Sequence, residues 1–330
     1  MYAQVLKNNP YHDEKGLFTD KDGASHFQIR HTGSELRKTH LASGGSAKDA
    51  PKGEWVNRDG TALPAHVHES MKRLNQPIPA AWGKITINPT GTKDMVHGVD
   101  AKGRDQSIYT TAHHAAQSAE KHERVSRLNP HVSKLDAQAA ADMGDKKKSA
   151  RARDIAATVR LITRTGLRPG STADTGADNK AYGASTLERR HITVKDSTVS
   201  LKFPSKSGQV SEKVLKDPAL ASYLKERMKS MQPGDKVFKS SGASAGAYLK
   251  QHTQKEFLIK DLRTWNGTSV AKDAIKKMKQ PTNEAEMKAM QKAVAKLVSD
   301  HLQNTPAIAL KDYINPKVWP KIKSPKSPRA

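Results

Sequence analysis

The chain contains no cysteine, which excludes disulfide staples and thiolate-held zinc. Aromatic residues are scarce at 5%, and hydrophobic ones reach 35%, material for a core but not for one along the whole length. No apolar run approaches the ~20 residues that span a bilayer. The opening MYAQVLKNNPYHDEKG has no apolar signal core. Negative charge is also short: 33 Asp+Glu stand against 57 Lys+Arg, a formal charge of +24 over 330 residues. An excess of this size points to a polyanion, with nucleic acid the first candidate. The expected setting is a cytosol where DNA is accessible, with no membrane involved.

The length suggests two domains and a loose tail. Residues 1–62 are polar and rich in Gly, Lys, His and Asp, and HLASGGSAKDAPKGEW reads as a linker, so this segment is expected to be a flexible extension. From 63 to 118 short alternating segments, Ile85/Ile87 and Val96/Val99, are punctuated by Gly and Pro and read as a small β-rich domain. From 119 to 319 helical spacing dominates. RARDIAATVRLITRTG places Ile155, Val159 and Ile162 on one face, Gly166 suits the residue after a helix end, and Pro169 stops continuation. HITVKDSTVSLKF alternates in two halves around Lys195-Asp196-Ser197 and reads as a β-hairpin. Further helices are expected over 217–230, 244–259, 267–279 and 284–303. The last of these has Asn283 and Glu286 as a capping pair and Met287, Met290, Val294 and Leu297 as its stripe. Residues 320–330 form a basic tail. The fold class is α+β.

Four stretches carry chemistry. In TGLRPGS, Arg168 follows a helix end inside a turn fixed by Gly166, Pro169 and Gly170, where a guanidinium can hold two phosphate oxygens. In FPSKSGQ, Lys206 sits just past the hairpin in a Ser/Gly loop. In IKDLRTWNGT, Lys260 and Arg263 are three apart and share a helical face, with Trp265 to pack beneath them. In NTPAIALKDYI, Thr305 can cap a helix opened by Pro306, and the chain runs from Asn304 to Tyr313, a phenol that either packs or reacts. Taken singly, each has an ordinary reading: a surface arginine, a turn lysine, a salt-bridged helix start.

Their order is less ordinary. LRPGS, YGASTLERRHI, KFPSKSG, KDLRTWNGT and NTPAIALKDYINPKVW resemble, in sequence and spacing, the type IB DNA topoisomerases, the bacterial and poxvirus-like small form in particular. Upstream, LNQPIPAAWGKITINP and HGVDAKGRDQSIYT are similar to that family's N-terminal β domain, so the resemblance covers roughly 65 to 319. It implies a C-shaped clamp on double-stranded DNA, acting as a monomer without metal or cofactor. It implies that Tyr313 is the nucleophile and that Arg168 and Arg263 clamp the scissile phosphate. Lys206 would be the general acid, Asn304 a donor to a phosphate oxygen, and Lys260 a supporting lysine. Arg104, Gln106 and Tyr109 would touch DNA from the β domain. Ser107 stands where many relatives have a tyrosine, and Arg164 competes with Arg168 for the first arginine role. The same residues also suit a tyrosine recombinase, or a DNA-binding protein on a retired catalytic fold.

Overall fold

In the computed structural model, which describes residues 26–43, 46, 48–49, 52–171, 180–205 and 209–322, the alternation at Ile85 and Ile87 is a strand of a five-stranded antiparallel sheet. Its order is β2-β1-β3-β4-β5, with β1 Phe27–His31, β2 Trp55–Asn57, β3 Gly83–Ile87, β4 Asp94–Val99 and β5 Asp105–Tyr109. Helix α1 (Gly33–Ala42) lies between β1 and β2 in the chain, and α2 (Ala65–Met71) between β2 and β3. Period-2 side chains build the core: Phe27 and Ile29, Ile85 and Ile87, Val96 and Ile108, closed by Val67 of α2. A register shift between Asp94 and Val96 lets the adjacent Met95 and Val96 both be fully buried.

Composition marks residues 1–62 as a polar extension, yet residues 27–57 supply β1, α1 and β2. The strand FQIRH is short and its partner WVN shorter still. They are stable because β1 pairs with β3 as well as β2. The described residues divide into two units, Met1–Ala119 and Glu120–Ala330, and the boundary falls inside α3 (Thr111–Gly144).

The second unit is mainly helical. Helix α4 (Ala150–Thr165) is N-capped by Ser149, whose hydroxyl accepts from the Ala152 N–H at 3.2 Å. It packs on α6 (Gly242–His252) and α7 (Asp261–Lys276), which buries Ala156, Ala157, Val159, Leu161 and Ile162 completely. The hairpin read in HITVKDSTVSLKF gains a third strand. β6 (Ile192–Lys195), β7 (Thr198–Pro204) and β8 (Val210–Lys216) pair antiparallel in that order. Helix α5 (Pro218–Arg227) follows, capped by Asp217. Helix α8 (Glu284–Leu302) is capped by Asn283, whose side-chain oxygen accepts from the Glu286 N–H at 2.9 Å.

Two helical readings change. The expected helix 267–279 begins at Asp261, which puts Arg263 in its first turn. On α8 the buried row against α7 is Met290, Val294, Val298 and Leu302, one residue every fourth, and Leu297 is half exposed. Three buried or half-buried arginines in this unit are matched with carboxylates. Arg160 reaches Asp217 at 2.8 Å and Asp136 at 3.0 Å, Arg124 reaches Asp261 at 2.8 Å, and Arg227 reaches Asp154 at 3.1 Å. No helix among the described residues is long and apolar enough to cross a membrane.

Candidate active site

Arg263 does not follow that pairing. It is 3% exposed, and no carboxylate among the described residues reaches it. One terminal nitrogen donates to the Gly166 carbonyl at 2.6 Å, the other to the Leu302 carbonyl at 2.7 Å. These carbonyls close the C-termini of α4 and α8, where unpaired C=O groups carry partial negative charge. The guanidinium is thus held by two helix ends rather than by a counter-ion, and its Nε has no protein partner. Burial pulls its pKa down, Arg168 adds to that, and Tyr313 opposes it. Gly166 makes the junction possible: its φ is +65°, and a Cβ there would lie 2.7 Å from Leu302 Cδ2.

Arg168 lies just beyond this helix end. With Arg263, Ser205, Ser211 and Gln303 it lines one narrow cleft. The YGAST stretch holds it: the Arg168 carbonyl accepts from the Ala184 N–H at 2.8 Å, and the Pro169 carbonyl from the Ser185 N–H at 2.8 Å. Gly183 permits this close pass, because a Cβ there would sit 2.5 Å from Gly170. No carboxylate among the described residues pairs with Arg168. Arg164, its competitor, is an exposed partner of Asp136 at 2.9 Å. A roomier groove of about 430 Å³ at the α7–α8 turn is lined by Met278, Pro281, Met290 and Ala293. It contains no arginine, so chemistry rather than volume singles out the smaller cleft.

Tyr313 ends a π-helical turn, Ala309–Tyr313, that follows α9 (Pro306–Ile308); such turns recur at functional sites. Thr305 caps α9 as expected, accepting from the Ile308 N–H at 3.3 Å. The Arg263 guanidinium carbon lies 4.9 Å from the centre of the Tyr313 ring, so the cation faces the phenol's π system. The Tyr313 backbone is fixed from α7: its carbonyl accepts from Thr268 Oγ1 at 3.0 Å, and the Thr268 hydroxyl oxygen in turn accepts from the Asn315 N–H at 3.2 Å. From α3, Lys121 Nζ donates to the Asp312 carbonyl at 2.8 Å, and Asn315 donates to Ser126 Oγ at 3.0 Å. Gly267 leaves room for the approach, since a Cβ there would meet the Tyr313 carbonyl at 2.9 Å.

Asn304 follows Gln303, which sits in the left-handed region at φ 54° and turns the chain out of α8. The Asn304 amide nitrogen and oxygen are both buried without a protein partner among the described residues. An orphaned polar group of this kind costs about 1–3 kcal/mol, which favours a role with a ligand. Lys260 is exposed at the N-cap of α7 and lowers the pKa of Lys121, after the larger effect of burial. Lys206 lies outside the described residues; the strands on either side of it are paired as far as Pro204 and Val210. In the first unit, Arg104 and Gln106 both bond the Asp100 carboxylate, at 2.8 and 3.0 Å. Arg104 is the main reason that carboxyl falls to about 2. Tyr109, an odd number of residues from Gln106, falls on the other face of β5, beside the His113 ring at 5.5 Å.

Two neighbours of Arg263 carry no sequence signature. His301 Nε2 donates to Asn266 Oδ1 at 2.9 Å, while the Asn266 amide donates to the Thr163 carbonyl at 2.6 Å. Burial, then Lys213 and Arg263, push the His301 pKa down to about 4, so its ring is neutral at pH 7. Lys213, on β8, is lowered to about 8 by burial first and by Arg263 second. Among the described residues no group of three or more His, Cys, Asp or Glu is arranged to hold a metal ion.

Comparison with known proteins supplies a family. Residues 110–323 match the family model of the eukaryotic DNA topoisomerase I catalytic core. The chain is 23% identical over 264 residues to the DNA topoisomerase 1B of Acanthamoeba polyphaga mimivirus, covering 74% of this chain and 78% of that protein. Among solved structures, the XerH site-specific recombinase bound to difH substrate overlays with TM-score 0.35 and 13% identity. That overlay covers 53% of this chain and 48% of the recombinase, a likeness too partial to bear on fold or function.

Proposed function

The chain belongs to the type IB DNA topoisomerases, isomerases that act on DNA, and from that premise we propose how its residues would relax supercoiled duplex. The Tyr313 hydroxyl oxygen attacks a backbone phosphorus, a bond to that oxygen forms, and the bond to the 5′ oxygen breaks. The 5′ oxygen takes a proton, for which Lys206 is the proposed donor, and the phenol proton leaves to solvent. The product is a 3′-phosphotyrosyl ester and a free 5′ hydroxyl. Rotation about the intact strand releases torsion, and attack by the 5′ hydroxyl reverses the step. Diester is exchanged for diester, so no ATP is needed to reseal.

Attack on a phosphodiester adds negative charge in the transition state. Two guanidiniums and an amide donor fixed around it stabilise that charge, and losing one such donor typically costs about 10²–10³ in rate. Arg263, Arg168 and Asn304 are the proposed donors. A phenol with an ordinary pKa of about 10 is a weak nucleophile, and cations beside it favour the phenolate. Lys260 is proposed as support, and Arg104, Gln106 and Tyr109 as contacts from the first unit. A C-shaped clamp, monomeric action and a cytosolic setting belong to the same proposal.

The observation that carries this reading is the Arg263 guanidinium, uncompensated by any acid among the described residues, stacked on Tyr313 at 4.9 Å. The test is plasmid relaxation without Mg²⁺ or ATP, with a denaturing gel for the covalent adduct. The wild-type protein is expected to relax both supercoil signs and to give an adduct that Tyr313→Phe abolishes while duplex binding persists. Relaxation confined to one sequence, with strand exchange, would favour a recombinase. No adduct on any duplex would leave a binding protein.

A further inference from the structure

Arg160 and Arg124 of the second unit meet carboxylates, whereas the half-buried Lys213, like Arg263, meets none among the described residues. On β8, side chains alternate: Val210, Glu212 and Val214 are exposed, while Ser211 is buried and lines the cleft with Arg168 and Arg263. Lys213 shares the Ser211 face and pairs in register with the buried Leu201 of β7. The groups that reach it electrostatically are Arg263 from α7 and His301 from α8. Its strand neighbour Glu212 is committed to Lys202 at 2.7 Å on the outer face. For a half-buried lysine turned toward a guanidinium and an imidazole, with no acid among the described residues, the charged form is disfavoured in the protein alone. It becomes favourable once an anion enters.

We infer that Lys213 is a further DNA-phosphate ligand of this site, binding a backbone phosphate beside the cleft that Arg168 and Arg263 line. The inference rests on the proposed function in taking that anion from DNA. The lowered pKa of about 8 is what a cation held ready for a counter-ion looks like before the counter-ion arrives.

The test measures duplex affinity against salt by fluorescence anisotropy in the Tyr313→Phe background, so that binding is read without cleavage. Lys213→Met is expected to shallow the slope of log K against log salt by about one phosphate's worth, roughly 0.9. Lys213→Arg is expected to keep the slope, as is Lys202→Met on the outer face. Without DNA, Lys213→Met is expected to melt at the same temperature as its parent or higher, because a burdened charge is gone. Should that variant fail to fold, the parent and Lys213→Arg decide the matter by pH. DNA raises the lysine's pKa, so affinity is flat below about pH 8 and falls above it, and arginine removes the fall. A wild-type salt slope in folded Lys213→Met, or affinity indifferent to pH in the parent, overturns the inference. A missing covalent adduct in the wild type overturns the function reading instead and leaves this binding result intact.

Discussion

Replacing Gly267 by alanine tests whether α7 sets the position of the nucleophile. Gly267 lies inside the helix, where alanine is intrinsically better by about 0.8–1 kcal/mol. The new Cβ would lie 2.9 Å from the Tyr313 carbonyl oxygen, 3.0 Å from Tyr313 Cβ and 3.0 Å from Leu302 Cδ1. The leucine methyl can swing away. The tyrosine backbone cannot do so freely, because its carbonyl is tied to Thr268 Oγ1 at 3.0 Å. Relief therefore requires Tyr313 to move by several tenths of an ångström. Catalytic groups tolerate about 0.5 Å, and a misplacement of about 1 Å costs roughly 10²-fold. The expected loss in single-turnover cleavage of a suicide duplex is about 10–100-fold. Overpacking typically costs about 1–3 kcal/mol, and the helix gain offsets part of it, so unfolding free energy should drop by about 2 kcal/mol at most. Duplex affinity should be unchanged. The control is Gly246→Ala in α6, where no atom lies within 4 Å of the added Cβ; it should stabilise slightly and cleave normally. Wild-type cleavage by Gly267→Ala would refute the argument that this close contact fixes the phenol.

The two arginines that compete for the first catalytic role are separable. Arg168→Ala should slow cleavage by about 10²–10³. Arg164→Ala, which breaks an exposed pair with Asp136, should change it less than about threefold. Equal losses would undo the assignment. Acid stability should depend on His122, whose two ring nitrogens are buried without partners and whose pKa is lowered to about 4, chiefly by burial and then by Lys121. The unfolded ring titrates near 6.5 and the folded one near 4, so its contribution is complete above about pH 6.5 and is lost as pH falls toward 4. Urea unfolding of His122→Leu should show a shallower loss across that window and a gain of about 1–2 kcal/mol at pH 5, and a curve parallel to wild type would contradict it.

What could be read in the sequence was what is decided locally. Gly166 and Pro169 mark a helix end wherever they fall, and Thr305-Pro306 marks a helix start, because caps depend on a few neighbouring residues. The start of α7 was not legible, for a physical reason. RTWNGT is poor helix material, and its residues are there for distant partners: Asn266 for the Thr163 carbonyl and His301, Gly267 for the Tyr313 backbone, Thr268 for the Tyr313 carbonyl. Propensity points away from a helix that tertiary contacts impose. β1 was missed because FQIRH pairs across a long, polar, Gly- and Lys-rich stretch, and register of that kind is not a local property. Lys213 was invisible for a related reason: SEKVLK reads as a polar strand until the fold says which face is inside.

The manner in which Arg263 is held also bears on mechanism. A carboxylate partner would orient the guanidinium equally well, as Asp217 does for Arg160 at 2.8 Å, but it would cancel the field that a phosphate must meet. Two helix-terminal carbonyls fix the geometry with dipoles and leave the net charge in place. Desolvation then disfavours that charge, which the lowered pKa of Arg263 records, and the cost is carried by the folded protein before substrate arrives. Preorganised cations of this kind need no rearrangement when charge develops on the phosphoryl oxygens. On this argument, an acid introduced beside Arg263 would strengthen the fold and weaken the site at once. The same opposition explains why Arg263, beside Tyr313, has no acid among the described residues, while Arg124, Arg160 and Arg227 are paired.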